Sequence, residues 1–324
     1  MKLLKKLSEA YAVSGDEGGI CAFIADEIKN YVDEIYTDVM GNLIAHKRGN
    51  GKKVMYAAHT DEIGVIATHI DDNGFIRFGL IGGVNKHFSL FQRVVFKNGT
   101  VGIVAYEQSV KEIKDIEVAN MYIDIGAESK EDAEKSVSVG DTAVFLQKFE
   151  DLGNKVIGKA LDNRIGVYVL IKSLENIKNS ENDLYFVFTS QEEVGLRGAK
   201  TAAFLINPDY AVTVDVTDTG DTPNCKTMDI TLGGGAAVKI KDSSFIVNKE
   251  VKEKLISCAE KNGIKYQLEV LESGGTDAGA VQLAKSGIKT GAVSVPVRYV
   301  HTPCEMADKT DIDSAVKLIS NLVF

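Results

Sequence analysis

Four short, nearly solid apolar runs constrain this fold most: Lys53-Val-Met-Tyr-Ala-Ala58, Asp183-Leu-Tyr-Phe-Val-Phe188, Tyr210-Ala-Val-Thr-Val214 and Lys289-Thr-Gly-Ala-Val-Ser-Val295. Runs this short with no polar face suit strands covered on both sides, as in a parallel sheet. Helical patterns separate and follow them. Arg164 to Asn176 places Ile165, Tyr168 and Val169 on one face; Glu250 to Lys261, Asp277 to Lys285 and Asp311 to Leu322 read likewise. Strands alternating with helices predict an α/β chain, a three-layer αβα domain with a mostly parallel central sheet.

Two stretches depart from that rhythm. Near the start, Ser14-Gly-Asp-Glu17 has the S-x-x-E spacing of a capping box, ahead of Ile20, Phe23, Ile24 and Ile28 at helical intervals. From about residue 66 to 156 the segments become short, β-rich and broken by Gly and Asn-Gly. Gln92 to Lys97, Asn98-Gly99 and Thr100 to Ala105 form a hairpin signature, and Asp141 to Leu146 reads as another strand. The expected organisation is a catalytic-looking domain, 1–65 plus 157–324, interrupted by a smaller β-rich, barrel-like domain at 66–156.

The 324 residues carry a net charge of -9. No basic stripe is present of the kind that binds nucleic acid. No apolar run reaches membrane-spanning length. Cys21, Cys225, Cys258 and Cys304 are widely spaced and read as reduced thiols. The expectation is a cytoplasmic protein with neither nucleic-acid nor membrane partners.

The residues just past each apolar run point to chemistry. His59-Thr-Asp61 comes after the first, Glu192-Glu193 after the second, Asp215 after the third, and His301 after the fourth, beyond Arg298. Asp162 stands just before a helix. Sites in open parallel sheets form beyond the carboxyl ends of strands. A lone His or Asp there is most often structural, but imidazole and carboxylate groups from four strands meeting at one edge make a metal site. Adjacent glutamates on an extended segment point opposite ways, so one can bind metal while the other moves a proton. His46, His69 and His87 have no such setting and read as surface or packing residues.

The motifs Ala58-His-Thr-Asp-Glu-Ile-Gly64, Ala160-Leu-Asp-Asn-Arg-Ile-Gly166, Ser190-Gln-Glu-Glu-Val-Gly195, Val214-Asp-Val216 and Arg298-Tyr-Val-His-Thr-Pro303 run in order along the chain. With Val39-Met-Gly-Asn-Leu43 and Ser273-Gly-Gly-Thr-Asp-Ala-Gly279, they resemble the tetrahedral glutamyl-aminopeptidase family of co-catalytic metallo-aminopeptidases. The resemblance implies a metal-dependent aminopeptidase with two divalent ions, zinc, cobalt or manganese, and peptide substrates. It also implies an inserted domain that builds dimers and, from them, dodecamers.

The resemblance further implies that Asp162 bridges the two ions, that His59 and Asp215 complete one site, and that Glu193 and His301 complete the other. Glu192 would be the general base, Asp61 would orient His59, and the loop of Thr276 and Asp277 would line the substrate pocket. Asn163 stands where many relatives carry a second Asp. Arg298 is open to two readings, facing an acidic substrate or pairing with a nearby carboxylate. Competing functions are an N-acyl-amino-acid deacylase on the same fold and an endoglucanase, a label some family members carry.

Overall fold

The computed structural model describes residues 1–324. Its main sheet has 11 strands, nine of them in a single order. That order is Glu34–Thr37, Leu43–Lys47, Asp183–Thr189, Lys53–His59, Tyr210–Thr217, Lys289–Arg298, Glu305–Asp308, Lys155–Gly158 and Glu150–Leu152. Ala236–Lys241 branches from Lys289–Arg298 and pairs with Tyr266–Val270. The four apolar runs are the four adjacent central strands and are mutually parallel. Antiparallel strands are confined to the flanks, where one face or edge is less covered.

Alternation along the central strands feeds two cores. Val54, Tyr56 and Ala58 pack with the helices Lys2–Glu9, Gly18–Ile28, Leu161–Asn176, Lys249–Lys261 and Lys309–Asn321. Met55 and Ala57 face the other way, against Ala199, Ala202, Ala203 and Ile206 of Arg197–Ile206 and Val281 of Asp277–Gln282. The three-layer αβα architecture follows from that split.

A closed six-stranded barrel interrupts this domain. Its strands, in order, are Gly64–Ile70, Ile76–Ile81, Met121–Asp124, Val101–Tyr106, Arg93–Phe96 and Thr142–Phe145. The Asn98-Gly99 turn closes the expected hairpin, with Arg93 opposite Ile103 and Val95 opposite Val101. The barrel has its own apolar core, including Val65, Phe78, Val94, Phe96, Val104 and Ile123.

The capping box does not form. The helix begins at Gly18 without a side-chain cap. The Ser14 hydroxyl donates instead to Asp61, and Glu17 accepts from the backbone N–H groups of Gly15 and Gln191. Both residues are drawn toward the loops at the carboxyl edge, where a group left unpaired in the interior would cost free energy.

Candidate active site

The parallel central strands all end on the same side, so their terminal residues converge. His59 closes its strand directly beside Thr189, and Asp215 lies near the end of its own. His59 Nε2 lies 3.1 Å from Asp162 Oδ1, 3.6 Å from Asp215 Oδ1 and 4.0 Å from Glu192 Oε2. His301 Nε2 lies 3.3 Å from Asp162 Oδ2 and 3.3 Å from Glu193 Oε2. Two overlapping triads result, His59–Asp162–Asp215 and Asp162–Glu193–His301, each with its donor atoms within 4.8 Å of one another. Asp162 belongs to both, offering one oxygen to each histidine.

Glu192 and Glu193 sit in a turn just past the strand, which ends at Thr189. Four successive amides of that turn are each held by a side-chain oxygen. Ser190 N–H donates to Asn42 Oδ1 at 3.0 Å and Gln191 N–H to Glu17 Oε1 at 3.0 Å. Glu192 and Glu193 N–H donate to the two oxygens of Asp61, at 3.0 and 3.2 Å. The His59 ring meets Asp61 through Nδ1, 3.2 Å from the Asp61 carbonyl oxygen and 3.6 Å from its carboxylate. Asp61 therefore couples the His59 strand to the Glu192–Glu193 turn, beyond orienting one imidazole.

Glu305 does the same on the other side, a role that sequence reasoning missed. Its two oxygens accept from the N–H groups of Asp162 and His301, each at 3.0 Å. The available signal was its place four residues after His301, in His-Thr-Pro-Cys-Glu. Glu62, also missed, is buried against Lys159 Nζ at 2.6 Å and Arg164 Nη2 at 3.2 Å. The fully buried Arg164 also donates to the carbonyls of Leu7, Ala10 and Thr60, so the N-terminal helix and the His59 loop share one cation.

Asn163 is buried with both ends of its amide engaged: Nδ2 donates to the Val214 carbonyl at 2.8 Å and Oδ1 accepts from Gly166 N–H at 2.9 Å. An aspartic acid could fill that place only with a proton on its outer oxygen. Ala160, Gln191, Tyr299 and His301 all adopt left-handed φ, close to the ligand-bearing residues. Such backbone persists where surrounding bonds over-determine it, often at functional sites. The barrel also reaches the cluster. A Cβ at Gly83 would collide with His301 Nδ1, so only glycine lets that loop close over the ring.

The electrostatics are those of crowded, dry acids. Burial pushes Glu193 up to about 8, with Asp162 adding repulsion. Glu192 is raised well above the carboxylate range by burial and by Asp215, Asp277 and Glu193. Asp162 and Asp61 run the other way: burial opposes their charge, but hydrogen bonds, from His301 and His59 to Asp162 and from His59 and Ser14 to Asp61, hold their carboxyls low. The cluster has more buried carboxylates than cations to balance them, and its donors are imidazole nitrogen and carboxylate oxygen. That chemistry fits a divalent ion of the zinc, cobalt or manganese type.

The remaining candidates are more scattered. Thr276 lines the cavity of about 520 Å³ beside the cluster, and its hydroxyl donates to Asp242 at 3.0 Å. Asp277 is buried outside that lining and accepts from the Thr189 hydroxyl at 2.6 Å. Arg298 also lies off the lining; its Nε and Nη2 grip the Asp221 carboxylate at 2.9 and 2.7 Å. His46 is remote, bonded to Asp183 and stacked on Tyr185. His69 is exposed on the barrel, and His87 is half-buried in the loop after Ile76–Ile81. No helix is long and apolar enough to cross a membrane, and all four cysteines are free.

Comparison with known proteins agrees with this geometry. The model of the M42 glutamyl aminopeptidase family matches residues 41–318. A protein of Acetivibrio thermocellus is 54% identical, covering 98% of this chain and 96% of its own. The solved aminopeptidase APDkam598 of the archaeon Desulfurococcus kamchatkensis is 40% identical with a TM-score of 0.95, over 99% of this chain and 93% of its own. The TET1 peptidase of Pyrococcus horikoshii, solved in a study of its assembly into a tetrahedron or a large octahedral shell, is 37% identical with a TM-score of 0.90, over 100% of this chain and 98% of its own. The chain belongs to the M42 glutamyl aminopeptidase family and is an aminopeptidase, a hydrolase of peptide bonds.

Proposed function

We propose that the two overlapping triads hold a pair of divalent ions, one with His59 and Asp215, the other with Glu193 and His301, and Asp162 shared between them. The observation that supports this is the placement of Asp162, one oxygen toward each histidine, within two separate sets of converging donors. These residues would hold divalent ions whose chemistry, when bound, would be to acidify water and polarise the scissile carbonyl. Glu192 lies outside both triads but borders them, 4.0 Å from His59. Its proposed role is to take the proton from the attacking water and pass it to the leaving amine. Asp61 and Glu305 hold the backbone of these residues so that little reorganisation accompanies the reaction.

The segment 66–156 is proposed as an assembly domain attached to the catalytic remainder, 1–65 plus 157–324. Barrel residues Phe88, Phe91, Ile103 and Ile113 are exposed large hydrophobics, the kind of surface a homo-oligomer covers. The assembled TET1 relative supports the same reading. Zinc or cobalt as the native ion and a cytoplasmic location belong to this proposal.

One preparation tests it. Metal analysis of the purified protein, together with turnover of aminoacyl-anilides, N-acyl amino acids and cello-oligosaccharides, separates aminopeptidase from deacylase and endoglucanase. Two ions per chain and chelator-sensitive aminoacyl cleavage are expected. Acyl-amino-acid or sugar turnover without aminoacyl cleavage would overturn it. Light scattering tests assembly, and a monomer at working concentration would count against it.

A further inference from the structure

The cavity beside the cluster carries one charge that the chemistry above does not use. Its walls include Leu196, Val216, Leu271, Thr276 and Val300. No lysine or arginine lines it. Apart from the clustered histidines and carboxylates, its single charged residue is Asp218.

Asp218 lies just beyond the strand that carries Asp215, and its side chain is exposed. It feels the charges of His301, Lys226, Asp162 and Lys239, but none of them is hydrogen-bonded to it. Of the nearby cations, Lys226 is exposed and makes no ion pair, while two others are engaged elsewhere. Lys239 is fully buried against Glu269. Arg298, the cation that would suit an acidic substrate, is held in a two-pronged pair by Asp221.

A carboxylate without an ion pair, in a cavity whose apolar side chains are Leu196, Val216, Leu271 and Val300, is complementary to a long aliphatic side chain with a cationic tip. The methylenes of lysine or arginine would lie along the wall and the charge would reach Asp218. A glutamate side chain would meet a like charge at Asp218. We infer that Asp218 selects a basic residue, lysine or arginine, at the substrate's N-terminus. The inference rests on the aminopeptidase reading and names its substrate class.

The test measures kcat/KM of the metal-loaded enzyme for lysyl, arginyl, norleucyl and glutamyl anilides. Calorimetric binding of L-lysinamide and L-norleucinamide reads the pocket independently of turnover. Norleucine matches the lysine stem without its charge. The lysyl-to-norleucyl ratio should be about two- to fivefold, as a partly solvated ion pair supplies. It should fall toward one in Asp218→Asn and persist in Asp218→Glu. A norleucyl or glutamyl substrate equal to or better than lysyl would overturn the inference. So would a uniform loss across all substrates in Asp218→Asn, which would assign the carboxylate to the α-ammonium group common to them all. If no anilide is cleaved, the aminopeptidase reading fails, and the binding of the two amides still decides the role of Asp218: tighter lysinamide supports it and equal affinity overturns it.

Discussion

Asp61 Oδ1 accepts a hydrogen bond from the backbone N–H of Glu192 at 3.0 Å, tying the strand that ends in His59 to the turn that presents both glutamates. The second oxygen takes Glu193 N–H at 3.2 Å and the Ser14 hydroxyl at 2.7 Å. Three elements distant in sequence thus share one fully buried carboxylate.

Asp61→Asn should therefore damage the site more than its isosteric size suggests. The new amide nitrogen would point a donor at a backbone donor. Supporting groups of this kind typically matter by about 10- to 100-fold in metal affinity or activity. Measured kcat and metal content after dialysis should both fall. Unchanged values would show that the turn holds itself.

Glu192→Gln and Asp162→Asn should separate two kinds of loss. The first removes a proton carrier and keeps the shape, so kcat should drop by about 10²- to 10⁴-fold with metal content retained. The second weakens the residue common to both triads, so metal content itself should fall, and excess metal should restore part of the occupancy. Full activity in Glu192→Gln would place the base elsewhere.

Glu305→Gln should weaken the scaffold. Glu305 satisfies one buried and one partly buried backbone donor, and glutamine has one oxygen for them. A buried donor left without a partner costs about 1–3 kcal/mol. Thermal unfolding of the metal-free protein should shift downward. An unchanged transition would mean that the loop relaxes to find another acceptor.

The pair formed by Arg298 and Asp221 gives a pH dependence of known sign. The guanidinium hydrogen bonds hold the Asp221 carboxyl well below the usual carboxylate range. A carboxyl depressed in the folded state adds stability above its unfolded value, near pH 4, and that contribution fades as pH falls toward the depressed value. Asp221→Asn should lower the melting temperature at pH 7 by about 1–2 °C, as expected for a loss near 1 kcal/mol in a chain of this length. The gap from the native protein should narrow below about pH 4. A gap constant with pH would mean that the carboxylate charge is not what stabilises the loop.

Much of the site's membership was legible in the sequence, because hydrophobic runs announce buried parallel strands and strand ends announce the sheet edge. His59, Asp162, Glu193, Asp215 and His301 come together for that reason. Glu305, Glu62 and Glu17 were not legible. Each is an acid in a loop, a helix approach or, for Glu305, the start of a short strand, and its partners are backbone amides and cations brought near only by folding. The Ser14-to-Glu17 spacing misled because local capping competes with distant partners, and the buried site loops won.

The sequence by itself determined the α/β architecture, the order of the motifs and the residue types gathered at the carboxyl edge. Those follow from periodicity and from the rule that parallel strands finish on one side. Only the tertiary structure decided that Asp61 clamps the glutamate turn, that Glu305 holds Asp162 and His301, and that Arg298 is occupied by Asp221. Side-chain direction and electrostatic pairing depend on distances of a few ångströms between segments remote in the chain, and spacing along a sequence carries no such distance.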